Sequence, residues 1–382
     1  MTKTAPRSSP AFGNIYAGKR VFLTGHTGFK GAWLSEWLLS LGAQVTGYAV
    51  NCEEPSLFEQ LKLTQRMQDM RGDIRDLRSL GDAVSVFQPD FIFHLAAQSL
   101  VRRSYVDPVG TFTTNLTGSV NVMEAVRLAP SRCAVVMVTT DKCYENREIS
   151  HTYSETDPLG GHDPYSASKA AAEIAIDSYR KSFFANESSR LVAMASARAG
   201  NVIGGGDWAA DRLVPDCIRA LQRGQKIPVR NKNATRPWQH VLDPLSGYLT
   251  LGGALWRTID PTTTDRTTHE QVCSAFNFGP KPESNRTVGK VVDEVLKHWP
   301  GGRIDKSDNN APHEAELLSL KIDKANRILS WHPVWEFEEA VAHTISWYQD
   351  AKEGSDPLTL TRAQIKQYHQ DAAARGLHWA TK

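Results

Sequence analysis

Cysteine is scarce in this chain. There are five in 382 residues, scattered, with no C-x-x-C pair and no Cys/His ligand spacing. An odd, sparse count excludes a disulfide scaffold and a structural zinc site and points to a reducing compartment. Long apolar runs are lacking too. None approaches the roughly 18 residues of a membrane-spanning helix, and the opening MTKTAPRSSPAFGN has no apolar stretch of the signal-peptide kind. No charge of one sign prevails, with 44 Lys and Arg against 42 Asp and Glu. Without a basic stripe there is no nucleic-acid footprint. Internal repeats and low-complexity segments are absent. What remains is the expected profile of a soluble cytoplasmic protein with no membrane or nucleic-acid partner. It is long enough for one large α/β domain or two modest ones. Residues 1–15 are expected to form a flexible tail.

Strand and helix patterns alternate from there on. RVFLTG (20–25), AQVTGYAV (43–50), DFIFHLAA (90–97), CAVVMVTT (133–140) and LVAMASARAG (191–200) read as strands. AWLSEWLLSLG (32–42), DLRSLGDAVSVF (76–87) and VGTFTTNLTGSVNVMEAVRLA (109–129) read as helices. The strands are continuously apolar rather than alternating, which predicts a parallel sheet covered on both faces. The rhythm breaks near Gly200. Segments 201–235 and 281–350 look like shorter, mixed elements, while 236–280 returns to the sheet, so the two domains are expected to interleave. The stretch from about Ser355 to the end is polar and helical at best.

TGHTGFKG places Gly25, Gly28 and Gly31 directly between the first strand and the first helix. Glycine permits the tight turn and the close approach of a pyrophosphate, and the helix N-terminus then meets the anion with unpaired N–H groups. Dinucleotide binding is therefore expected. The loop residues Thr27 and Phe29 belong to the same cradle, and Lys30 either touches a phosphate or is an ordinary solvated lysine. The second strand ends at Asn51 where an acid for the adenosine ribose is usual. Asn51 can still bond a ribose, but this site does not choose between NAD and NADP.

PYSASKAAAEIAIDSY (164–179) carries Tyr165 and Lys169 four apart, on one helix face. A nearby ammonium is expected to lower the phenol pKa from about 10 toward neutrality, making a general base for an alcohol. At the end of the fifth strand, TTDK (139–142) sets Asp141 beside Lys142, which is either a salt-bridged loop or an acid/base pair.

Taken together, TGHTGFKG, Asp73-Ile74, HLAAQ (94–98), TTDK, YSASK and RAGNVIGGGDW run in the order of the extended short-chain dehydrogenases/reductases that modify nucleotide sugars. The chain resembles that family over at least residues 20–340. The resemblance implies a Rossmann-type doubly wound α/β sheet with a smaller C-terminal substrate lobe, bound NAD, and a homodimer or higher homo-oligomer. Epimerases of the family lack an acid after the strand-end Ser/Thr, whereas 4,6-dehydratases have one. Asp141 followed by Lys142 resembles the branch that dehydrates CDP-glucose for deoxysugar biosynthesis.

That resemblance assigns roles. Thr140 completes the group formed with Tyr165 and Lys169, and Asp141 is the acid at the C6 oxygen, which requires a raised pKa. Lys142 stands where other dehydratases have a glutamate. It is a neutral base at C5, a charged stabiliser of the enolate, or a partner that salt-bridges Asp141 and defeats its acid role. Cofactor contacts fall on the glycine loop, Asn51, Asp73, Ile74, Leu95, Ala96, Ala97, Asn115 and Thr139, together with Tyr165 and Lys169. Asp73 is expected to reach the adenine amine while the Ile74 side chain lies on the ring; Asn115 reads equally as a helix-surface amide. On the substrate side stand Gln98, Arg102, Asn201, Arg230, Arg236, His313 and Glu314. Each arginine reads equally well as a surface salt bridge. His26, Cys143, Trp33, Trp37 and Trp256 read as packing residues.

Overall fold

In the computed structural model, which describes residues 11–129, 131–185, 191–260, 268–305 and 317–381, the apolar runs assemble one seven-stranded sheet. Its strands are β1 (Arg20–Thr24), β2 (Gln44–Ala49), β3 (Gln68–Arg71), β4 (Phe91–His94), β5 (Cys133–Val138), β6 (Val192–Ala199) and β7 (Ala275–Phe278). The order is β7-β6-β5-β4-β1-β2-β3, and every pairing is parallel. The order reverses between β1 and β4. In a doubly wound sheet that is where a crevice opens at the strands' carboxyl ends.

The helices are α1 (Phe29–Ser40), α2 (Leu77–Phe87), α3 (Gly118–Leu128), α4 (Pro164–Tyr179), α5 (Leu213–Gln222), α6 (Leu242–Ile259), α7 (Val288–His298), α8 (Phe337–Lys352) and α9 (Pro357–Ala374). A short helix, Pro108–Phe112, and a π turn, Thr113–Thr117, lead directly into α3. Every residue of β5 is buried. Such side chains each contribute roughly 1.5–3 kcal/mol, enough to hold polar residues at the strand's end. Packing covers both faces. Phe22, Ile92, Val135 and Met194 meet α2, α3 and α4 on one side. On the other, Phe91, Val136 and Ala195 join a larger core with Trp33, Leu249 and Trp347.

The smaller lobe consists of short pairs: Ile227–Val229 with Arg303–Asp305, and Thr235–Pro237 with Asn285–Thr287. α6 and β7 return to the main sheet, so the units interleave in the chain. Residues 11–14 correct the expected tail of 1–15. Ala11 and Phe12 are buried, with Phe12 stacked at 4.8 Å on Trp379. The polar C-terminal stretch forms α9, whose Arg362 donates to Glu36 of α1 at 2.7 Å.

Candidate active site

The glycine loop crosses the crevice between β1 and β4. Gly25 has φ of 76°, and a Cβ there would lie 2.6 Å from the Ala96 backbone nitrogen. At Gly31 a Cβ would lie 2.1 Å from the Gly25 carbonyl oxygen. α1 begins at Gly28 with no side-chain cap and no acid in its first turn. Its first N–H groups thus stay open to an anion, which fits a pyrophosphate. Thr27 Oγ1 donates to the Val50 carbonyl at 3.3 Å, and Asn51 is exposed at the end of β2. Leu95, Ala96 and Ala97 are half-buried opposite the loop, and Phe29 is half-buried beside Gly204. Lys30 is no solvated surface lysine. Burial lowers its amine to about 8, Arg212 and Lys169 push the same way, and Asp141 pulls it back.

β5 and α4 build the chamber beyond the loop. Asp163 caps α4, accepting from Ser166 N at 2.9 Å, and Pro164 supplies a preset first turn. This cap fixes Tyr165 at the mouth of the helix, where it is buried and hydrogen-bonded to Thr140. Thr140 Oγ1 also donates to Asp141 Oδ1 at 3.1 Å. Asp141 is almost fully enclosed, its Oδ2 has no hydrogen-bond partner, and burial raises its pKa against the lowering pull of Lys142, Arg236 and Lys30. Lys169 Nζ donates to the Val138 carbonyl at 3.3 Å, and burial lowers its amine to about 8. Lys142 is half-buried and lines a pocket of about 220 Å³ with Tyr144, Arg147, His162, Ser166 and Leu318. A buried Tyr–Lys–Thr group can take the proton of an alcohol, and an acid with a raised pKa beside it can give one to a leaving hydroxyl.

Residues 22–344 match the family described as GDP-mannose 4,6 dehydratase. The chain belongs to that family. It is 44% identical over 359 residues to the CDP-glucose 4,6-dehydratase of Salmonella typhimurium, covering 93% of this chain and 97% of that one. It is 25% identical to a UDP-glucose 4-epimerase of Mycolicibacterium smegmatis, covering 87% and 99% respectively. The fold matches the dTDP-glucose 4,6-dehydratase of Bacillus anthracis in complex with NAD. There the TM-score is 0.71 and the identity 20%, over 89% of this chain and 100% of that one.

Within this member of the GDP-mannose 4,6-dehydratase family, several side chains expected at the site are bonded within the protein. Asn115 is no surface amide. It is fully buried in the π turn, bonding the Gln98 backbone twice and Ser168 Oγ at 2.9 Å. The Gln98 amide bonds Leu100 and Thr111. The Thr139 hydroxyl turns inward to Glu173 at 2.5 Å, away from the cofactor crevice. Ile74 packs into the core with Phe22 and Tyr48 rather than lying open for a ring. The Asp73 carboxylate is already forked by Arg75, which lowers its pKa. Tyr165 runs opposite to expectation. Burial pushes its phenol up to about 12, outweighing the Thr140 hydrogen bond and the Arg212 charge.

On the substrate side, Asn201 leaves its Oδ1 unpartnered, and Arg236 is buried with Nη1 on the Thr235 carbonyl. Arg230 bonds Asp211 at 3.0 Å, and Arg102 approaches the same carboxylate at 3.9 Å from the other side of the cleft. His313 and Glu314 lie outside the described residues. Two residues escaped the sequence reading. Arg212 bonds Asp207 and Ser99, each at 3.0 Å, and its charge reaches Tyr165 and Lys30. Glu173 lies one turn beyond Lys169, a spacing that could have flagged it. His26 does pack, edge-on to Phe58 and bonded to Asp69 at 2.8 Å.

Proposed function

We propose that the protein is an NAD-dependent CDP-glucose 4,6-dehydratase, converting CDP-D-glucose to CDP-4-keto-6-deoxy-D-glucose with loss of one water. The observation that carries this is Asp141, a buried acid with a raised pKa and an unpartnered oxygen, beside Tyr165 and Lys169. The similarity to the Salmonella enzyme supports cytidine as the base.

The glycine loop, the open end of α1, Asn51 and Lys30 would hold NAD, which accepts a hydride from C4 and returns it to C6. Tyr165 takes the O4 proton, with Thr140 hydrogen-bonded to its oxygen and the Lys169 ammonium favouring the phenolate. A ketone at C4 acidifies the C5 hydrogen. Asp141 gives its proton to the departing C6 hydroxyl, and Lys142 serves the C5 side as base or as a charge facing the enolate. A proton then returns to C5. Asn201, Arg102, Arg230 and Arg236 face the nucleoside diphosphate, for which a guanidinium is well shaped. The described residues within 201–235 and 281–350 would form the lobe that receives it.

Incubation with CDP-, dTDP- and GDP-glucose tests this. The expected product is CDP-glucose less one water, with the alkaline chromophore of a 4-keto sugar. An isomer of unchanged mass would make the protein a 4-epimerase, and a product from another nucleotide would move the substrate. For Lys142, Lys142→Met with C5-deuterated substrate in heavy water should slow elimination and C5 exchange; wild-type rates would remove it from the mechanism.

Exposed Val109 and Phe112 on the segment leading into α3, with Ile174 on α4 and Phe183 just beyond it, support a homodimer through these helices. Light scattering of the purified chain measures this. Among the described residues no helix is long and apolar enough to cross a membrane, and we place the enzyme in the cytoplasm.

A further inference from the structure

Glu173 sits beneath the reacting groups and touches none of them. It is almost wholly buried on α4, one helical turn from Lys169 and on the same face. Its carboxylate accepts three hydrogen bonds: from Thr139 Oγ1 at 2.5 Å, Ser196 Oγ at 2.8 Å and Arg198 Nη2 at 2.8 Å. Thr139 directly precedes Thr140, Asp141 and Lys142. The bond from Thr139 therefore joins the helix that carries Tyr165 and Lys169 to the strand end that carries the other three. Arg198 is itself anchored, donating to Tyr144 Oη at 2.8 Å, and Tyr144 donates to Asn277 Oδ1 at 2.7 Å. A buried ion pair is weak evidence of a stability role, because apolar packing often replaces it without loss. Its placement here suits a different task.

We propose that Glu173 is a positioning residue for the oxidation step: it keeps the Lys169 amine charged and locks α4 to the Thr139–Lys142 strand end. The proposal rests on the C4-oxidation reading above. The groups facing Lys169 come from four elements. Glu173 on its own helix favours the ammonium, while Cys143 after β5 is a thiol that burial keeps protonated and uncharged. Lys30 of α1 faces it as a like charge, and His94 of β4 is kept neutral, its pKa lowered to about 3 by burial. Of these, Glu173 is the carboxylate. Removing its charge leaves burial and Lys30 acting on the amine, so the ammonium should be lost at lower pH.

The test is Glu173→Gln in the full-length holoenzyme. The pH dependence of C4 oxidation is read as reduced-cofactor absorbance in a single turnover, on whichever nucleotide sugar the wild type oxidises. If that sugar is a dTDP- or GDP-sugar, the base assignment fails and this test proceeds unchanged. The expected result is an alkaline limb moved down by about one pH unit. A uniform loss of activity with an unmoved limb means a merely structural role and overturns the proposal. If Glu173→Gln does not fold, Glu173→Gln with Arg198→Met removes both buried charges, and the same limb decides. A measurement free of turnover is the pH titration of the Lys169 side-chain nitrogen in 15N-lysine-labelled holoenzyme, assigned by its loss in Lys169→Arg. Its midpoint should fall in Glu173→Gln; an unchanged midpoint overturns the proposal.

Discussion

Asp141 and Glu173 are two enclosed carboxyls in neighbouring parts of one chamber, and their protonation is driven in opposite directions. Glu173 accepts from Thr139, Ser196 and Arg198, and these partners hold it below the usual carboxylate range despite full burial. Asp141 accepts from Thr140, keeps Oδ2 unpartnered, and is raised. Burial is common to both, so burial does not decide the charge. The Arg198 charge and the donors beside it do. One chamber thus holds a raised and a lowered carboxyl by giving one an arginine and two hydroxyl donors and leaving an oxygen of the other unpartnered.

The contrast is sharpened most by removing the acid. Asp141→Asn should slow water elimination by about 10²–10⁴-fold while C4 oxidation persists, seen as reduced cofactor that accumulates in a single turnover. The wild-type elimination should carry its own pH signature. A raised pKa means that Asp141 keeps its proton above the ordinary value of about 4 and loses it as pH rises. Elimination should therefore decline with rising pH, measured as the rate of dehydration of a preformed 4-keto intermediate.

The anionic side breaks differently. Arg198→Met leaves Glu173 buried without its ion, and stability should fall by ~3–5 kcal/mol, measured as a lower urea midpoint at constant slope. A pair in the open behaves otherwise. Arg230 and Asp211 are each about 40% exposed, so Arg230→Ala should cost at most ~1 kcal/mol of stability. Its effect should be on KM for the nucleotide sugar, raised with little change in kcat. The smallest change is expected at Tyr248, whose buried hydroxyl has no partner. Tyr248→Phe removes an unpaired polar group, so the melting temperature should stay the same or rise.

Legibility in the sequence followed locality. The glycine loop, the Tyr165–Lys169 spacing and the order of apolar strands are each written within a few residues, and they survive intact. Side-chain commitments were less legible. Nothing in HLAAQ reveals that Gln98 will bond Thr111, or that Asn115 will turn inward to Ser168. Those partners are 13 and 53 residues away. The phenol of Tyr165 was misjudged for the same reason. A lysine four residues off is visible in the sequence, but the burial that pushes the phenol up is not.

The sequence by itself determined the sheet, the cradle at the end of β1 and the candidate reacting groups, because backbone periodicity and glycine geometry are short-range properties. The tertiary structure alone decided the charge of those groups. Glu173 and Asp141 differ in the Arg198 charge and in the donors from β6 and the β5 end that reach them, and folding sets both. Lys30, read either as a phosphate contact or as a solvated lysine, became a member of the chamber once folding brought its amine within reach of the Asp141 and Lys169 charges.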